Sequence, residues 1–303
     1  MKYVKSRVEI IRQGNSVKDM FRHIEQCGRI SYKSEDRITE DSYGKFIPML
    51  EEKGHLSVLE HGTVYLTIPK NVDCFVEECA KVLDSSYAHV EQDDENYYVT
   101  TNYRVVHPYG MEFLKTFWSD MTEHVARVTI KVTCSRGVGY ELVRHRVMSF
   151  TQESTRYCNY SKGKFDHQLT FIIPSWITDL KDGDQFTKAD LEPDKLIKSM
   201  LSVEDSKSPK TMILTSGHIC AEECYMQLLG LGCKPQEARD VLPNGLKTEL
   251  AISGTIPQWK HLLQLRSAKC GAVGVHPDTV KVADAIYEAL RNQYIPMLNE
   301  KKD

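Results

Sequence analysis

Apolar positions recur along this chain with two periods, and the places where the period changes divide it into elements. Residues 8–11 alternate as a short strand. Over 16–27, Met20, Ile24 and Cys27 share one helical face and Ser16 stands at the N-cap. A second helix is predicted over 38–53, with Thr39 as cap and Gly54 where it would stop. The segment His55 to His61 follows, then a strand through Thr63, Tyr65 and Thr67 that Pro69 closes. Residues 71–83 read as helix, 84–95 as an exposed acidic loop, 97–106 as a strand or hairpin rich in Tyr, Val and Thr, and 111–122 as helix. Val128, Ile130 and Val132 alternate within a strand over 125–133. It runs into a helix over 135–145 whose last turn carries Arg144 and His145. Later come a strand over 169–174, a long helix over 211–231, a short one over 234–241, a strand over 246–253, a helix over 255–265 and an amphipathic terminal helix over 277–294. The polar stretch 181–210 is the least organised. There are no repeats. Helices and strands alternate irregularly, so the fold class is α+β rather than a doubly wound sheet.

Composition narrows the function classes. The 303 residues are 41% hydrophobic and 27% charged, an ordinary globular profile whose length allows one large domain or two modest ones. A net charge of −3 gives no global pull toward nucleic acid or an acidic membrane, so any anion recognition is local, and 127–156 holds a basic excess. No apolar run reaches the roughly 18–20 residues of a spanning helix. Charges interrupt residues 1–12, so no secretory leader is expected there. Nine scattered cysteines without a secretory context suggest reduced thiols in the cytoplasm.

The densest chemistry lies in Arg144-His145-Arg146-Val147-Met148-Ser149-Phe150-Thr151-Gln152-Glu153-Ser154-Thr155-Arg156-Tyr157. Arginine's planar fork makes paired, charge-assisted hydrogen bonds to phosphates and carboxylates, so this run suggests a nucleotide or phosphate site. Other polar groups stand apart from it. His55, Glu60 and His61 precede a strand; on chemistry alone, turn histidines usually bond local backbone. Glu123-His124 has comparable spacing but lacks the preceding Gly54-His55 and the following strand. Arg239 sits in Ala238-Arg239-Asp240-Val241-Leu242-Pro243, where a lone arginine is more often solvated than functional. In Thr255-Ile256-Pro257-Gln258-Trp259-Lys260-His261-Leu262-Leu263-Gln264-Leu265-Arg266, the tryptophan and leucines are core positions. Arg266 ends the apolar stretch and needs an anionic partner.

Several patterns are missing. Leu142 occupies the third glycine position after Gly137-Val138-Gly139, so there is no dinucleotide fingerprint, and no phosphate loop or zinc motif is present. Cys220 and Cys224, one helical turn apart, are core packing rather than metal ligands. No metal is expected.

Arg144-His145-Arg146, seven residues and then Ser154 resembles the signature of the flavin-dependent thymidylate synthases. His55…Glu60-His61, Ala238-Arg239…Leu242-Pro243, the segment ending in Arg266, and Arg29-Ile30-Ser31-Tyr32 are similar to that family's other motifs, in the same order. The resemblance implies a single domain over 1–303 with a mixed central sheet flanked by helices and insertions over about 70–125 and 181–210. It places the strand after His61 under the flavin. The implied activity is reductive methylation of dUMP to dTMP, with 5,10-methylenetetrahydrofolate as carbon donor and FAD reduced by NADPH as hydride source. For dUMP, the resemblance implies Glu141, Leu142, Val143, Arg144, Gln152, Glu153, Ser154, Thr155, Arg156, Arg239 and Arg266. For FAD it implies His55, Ser57, Arg144, His145, Arg146, Gln152, Thr255, Pro257 and His261, the last standing where many members have asparagine. Arg266 is the catalytic candidate, stabilising charge on the pyrimidine, and Ser154 orients the ring. The family is homotetrameric, so 141–144 of one subunit and 152–156 of another would face one nucleotide. No cysteine precedes a histidine, which excludes the Pro-Cys-His setting of the classical thymidylate synthase. A nucleic-acid strip over 127–156 with Phe150, Tyr157 and Tyr160 as stacking platforms, and a histidine phosphohydrolase, are the rival readings. The net charge and the distant arginines weigh against the first, and no ligand cluster supports the second.

Overall fold

The computed structural model describes residues 1–191 and 207–299; of the stretch read as unorganised, 192–206 therefore lie outside the described residues. Three small sheets share the chain. The four-stranded one has the order β2 (Arg7–Ile11), β6 (Arg127–Ser135), β9 (Lys247–Thr255), β7 (Ser149–Gln152), antiparallel throughout. β1 (Lys2–Val4) and β8 (Thr170–Ile172) form a parallel pair that a Phe171–Leu246 bridge joins to the start of β9, which makes the assembly mixed. β3 (Thr63–Pro69), β5 (Asn96–Asn102) and β4 (His89–Gln92) form the third, antiparallel sheet.

β6 and β9 are buried on both faces, and their alternation sorts two chemistries. Val128, Ile130 and Val132 point to an apolar core shared with Trp259, Leu262 and Leu263 of one helix and Val282, Ile286 and Leu290 of another. Arg127 and Thr129 point the other way. There the helix α1 (Val17–Tyr32) crosses the sheet, begun by a capping box between Ser16 and Asp19.

The predicted insertion 70–125 is a built layer. β3, β4 and β5, with α3 (Val76–Leu83), α4 (Tyr103–Val106) and α5 (Gly110–Phe117), pack Val64, Leu66, Val99, Phe113 and Leu114 against Met20 and Ile24 of α1 and Leu50 of α2 (Tyr43–Glu52). The strand after His61, β3, belongs to this layer. Two expectations are corrected. The acidic stretch 84–95 contains β4, which pairs in register with β5 (His89 opposite Thr100). The second helix starts at Tyr43, not near 38, because the Ser42 hydroxyl accepts the Thr39 amide and closes a turn there. His124, the alternative histidine, contacts the Leu66 carbonyl at 3.0 Å inside the layer.

Candidate active site

The helix α6 (Arg136–Leu142) is capped by Ser135, whose hydroxyl accepts the Val138 amide. It ends one residue before Val143, so Arg144 and His145 lie in the following turn and not on its last helical turn as the period suggested. That turn reverses the chain into β7, an element the sequence did not reveal. At its centre Val147 has φ +63°, a left-handed conformation that a β-branched residue adopts only under strain. Strain of this kind marks a turn whose shape is over-determined by its surroundings. Here Met148 is buried against Gly254, where an added Cβ would meet its methyl at 2.6 Å.

Arg266, 120 residues further on, meets this turn. It ends the helix Ile256–Arg266, which we label α9 after α7 (Pro209–Gly230) and α8 (Pro235–Ala238); α10 is Pro277–Asn299. The Arg266 guanidinium donates to Nε2 of His145 at 3.2 Å and to the Glu141 carboxylate at 3.4 Å. A histidine that accepts this bond is neutral. Burial, then the positive charge of Arg266, push the His145 pKa down to about 4. His261, exposed one turn earlier on α9, lies edge-on to His145 with ring centroids 6.4 Å apart. Pro257 is exposed at the start of α9, whereas Thr255 is buried and spends its hydroxyl on a capping box with Gln258. Arg144 and Arg146 are exposed. Leu142 faces the core, so its backbone is what the turn presents.

The second half of the motif is at the other end of β7. Gln152 donates to Thr248 and lies against Gly139, where a Cβ would stand 3.1 Å from its amide nitrogen. The Ser154 amide bonds the Ser31 carbonyl at the end of α1, and its hydroxyl accepts the Arg156 amide at 3.2 Å. No histidine or lysine bonds Ser154, so nothing is placed to make it a nucleophile. Glu153 turns inward to Lys247 (2.8 Å) and the Tyr160 hydroxyl (3.0 Å), so its carboxylate is consumed by the scaffold. Thr155 is buried, and Arg156 is exposed beside Tyr157. Tyr157 also packs on Tyr32, whose hydroxyl bonds His55 at 2.8 Å. Tyr32 was visible in the sequence only as part of Arg29-Ile30-Ser31-Tyr32.

The remaining candidates separate. Ser57 is exposed on the 3-10 helix Leu56–His61. Arg239 is exposed on the turn after α8 and makes no bond to another candidate residue. His61 is a core histidine: its nitrogens bond Ser253 (2.7 Å) and Thr151 (2.8 Å), and burial drives its pKa well down. No group of three or more His, Cys, Asp or Glu side chains among the described residues could hold a metal ion.

The sequence model described as thymidylate synthase complementing protein matches residues 71–294. The chain belongs to that family. Among its relatives are the flavin-dependent thymidylate synthases of Thermococcus onnurineus, 25% identical over 147 residues (48% of this chain and 48% of the relative), and of Pyrococcus furiosus, 27% identical over 133 residues (44% and 43%). The match thus spans about half the length of these curated relatives. Two solved structures are more distant: a UMP/dUMP methylase from Streptomyces cacaoi bound with 5-Br UMP (17% identical, 98% and 94% covered, TM-score 0.44) and thymidylate synthase X from Helicobacter pylori with FAD and dUMP (14%, 97% and 100%, 0.40). The family match begins after His61, so the motif His55…Glu60-His61 lies outside it and the layer over 71–122 lies within.

Proposed function

We propose that the chain is a flavin-dependent thymidylate synthase. It would methylate C5 of dUMP to give dTMP, taking the carbon from 5,10-methylenetetrahydrofolate, in the cytoplasm and as a homotetramer. The observation that carries this reading is the meeting of Arg266 with the Arg144-His145-Arg146 turn, two motifs that a family member needs in one place.

C5 of uracil becomes nucleophilic only when negative charge moves to the N3/O4 side of the ring. Arg266 is the residue to stabilise that charge, because Glu141 and His145 fix its guanidinium before substrate arrives. His145, held neutral, adds no competing positive charge and accepts rather than donates toward Arg266. Arg156, Arg239 and the backbone amides of 152–155 are the donors for the nucleotide phosphate. Ser154 orients the ring.

The turn also fits an anionic cofactor. Arg144 and Arg146 stand exposed, with no carboxylate bonded to them among the described residues, on either side of His145 in the turn that Val147 closes at φ +63°. With His145, His261, Pro257 and Thr255 beside them, and with His55, Ser57 and Gln152, they would hold FAD. Bound FAD, reduced by NADPH, supplies the hydride that completes the methyl group.

The test is the visible spectrum of the purified protein, followed by product analysis. Flavin bands near roughly 370 and 450 nm that shift when dUMP is added, and dTMP formed only when both the folate and NADPH are present, are the expected results. A protein that neither carries nor takes up FAD and forms no dTMP would end this reading.

A further inference from the structure

A second cationic site lies at the same end of the four-stranded sheet, on its β2 side. A cavity of about 200 Å³ opens where β2 ends and β3 and the residues after α5 fold over the start of β6. Arg12, His23, Thr63, Tyr65, Trp118 and Arg127 line it. Arg127 is half-buried and bonds no carboxylate among the described residues. It gives three of its five N–H donors to neutral acceptors: the Thr63 hydroxyl (3.2 Å), the Glu60 carbonyl (2.9 Å) and the Ser149 hydroxyl (2.9 Å). The nearby Glu60 carboxylate is taken by Arg104 at 2.5 Å. Beside it His23 is only 3% exposed; its Nε2 bonds Thr129 at 2.9 Å, and its Nδ1 makes no hydrogen bond. Arg12 adds a second, exposed guanidinium. The one carboxylate on the rim, Asp120, accepts the Thr122 amide.

A half-buried cation whose bonds among the described residues go to neutral groups, next to a buried polar atom without a partner, has the environment of an anion site. The volume is below the roughly 300–1,000 Å³ of pockets for drug-sized ligands, so the occupant is small. We propose that this cavity binds a small oxyanion, the phosphate or carboxylate group of a compact metabolite, on Arg127, Arg12 and His23. The site is separate from the proposed nucleotide site and does not rest on that reading. It exists because the 63–122 layer roofs the sheet end with Thr63, Tyr65 and Trp118. Through Ser149, Arg127 also touches the first residue of β7, so an anion here reaches the strand that joins the two halves of the candidate active site.

Trp118 reports on the cavity, its indole nitrogen bonding the Asn15 carbonyl at 3.1 Å. The experiment is a titration of Trp118 emission in the full-length protein with inorganic phosphate, succinate and chloride at constant ionic strength. A saturable change is expected with phosphate, with succinate or with both, and the pattern tells a phosphate group from a carboxylate; chloride should leave the signal flat. The change should vanish in Trp118→Phe and persist in Arg156→Ala, which removes a phosphate donor of the nucleotide site. Affinity should fall about tenfold in Arg127→Gln and severalfold in Arg12→Ala. Arg12 is exposed, so its variant serves if Arg127→Gln does not fold. No saturable change with either oxyanion, or equal affinity in both arginine variants, would overturn the proposal.

Discussion

Arg266 and His145 form a contact whose parts are individually ordinary. An arginine at a helix end and a histidine in a turn are both common, and their value comes from a 3.2 Å approach that fixes charge state as well as position. Arg266→Ala should lower kcat by roughly 10²–10³, the loss seen when a preorganised donor to a developing charge is removed. Arg266→Lys should recover little of it, because an ammonium cannot bond Glu141, His145 and substrate in one plane. Steady-state turnover of dUMP, with flavin content measured alongside, checks both. The histidines make a second prediction. Burial depresses the pKa of His23, His145 and His218 from 6.5 to about 4, and that of His61 further. The unfolded chain therefore takes up protons below pH 6.5 that the folded protein refuses. Stability is full above pH 6.5 and is lost as pH falls toward 4, visible as a urea midpoint that drops steeply across that window. His61→Leu should lower stability at neutral pH by about 2 kcal/mol, since Ser253 and Thr151 lose their shared partner.

At the scale of elements, the turn between α6 and β7 holds the greatest local strain near the site. Val147→Gly removes the penalty for a β-branched residue at φ +63° and should raise stability by about 1 kcal/mol, read as an increased urea midpoint. The same change frees the backbone of Arg144 and Arg146, so flavin affinity should fall as stability rises. Neither the turn nor β7 was legible in the sequence. Four residues, Ser149 to Gln152, are too few to show a period, and a left-handed valine has no sequence mark. Long elements were legible: the alternation of β6 and the helical faces of α1, α7 and α9 emerge within a residue or two of their predicted ends, apart from α1, which continues to Tyr32.

For the whole molecule, the decisive feature is that the signature is split. Arg144 to Arg146 precede β7, Ser154 to Arg156 follow it, and the strand keeps the two ends roughly 13 Å apart at 3.3 Å per residue. One nucleotide contacting both sets is most simply served by two subunits. If so, Arg266→Ala and Arg156→Ala, each inactive alone, should restore each other when mixed and reassembled, to about a quarter of wild-type activity for random two-chain sites. Absence of any recovery under conditions that exchange subunits would place both sets within one chain.

The sequence by itself determined the α+β class and the long helices and strands, and it pointed to the arginine-rich run as the candidate anion site, because periodicity and arginine chemistry are local properties. Only the tertiary structure decided which polar residues are sealed into the scaffold and which are left open at the candidate site. His61 and Glu153 have side chains as reactive on paper as His145 and Glu141, yet each of the first pair is sealed into the scaffold by a partner 90 or more residues away. Likewise β3 carries the alternation of a core strand and joins the 63–122 layer, since its partner β5 lies in that layer. Partner choice is a long-range property, set by which surfaces meet when the sheets close, and no spacing along the chain encodes it.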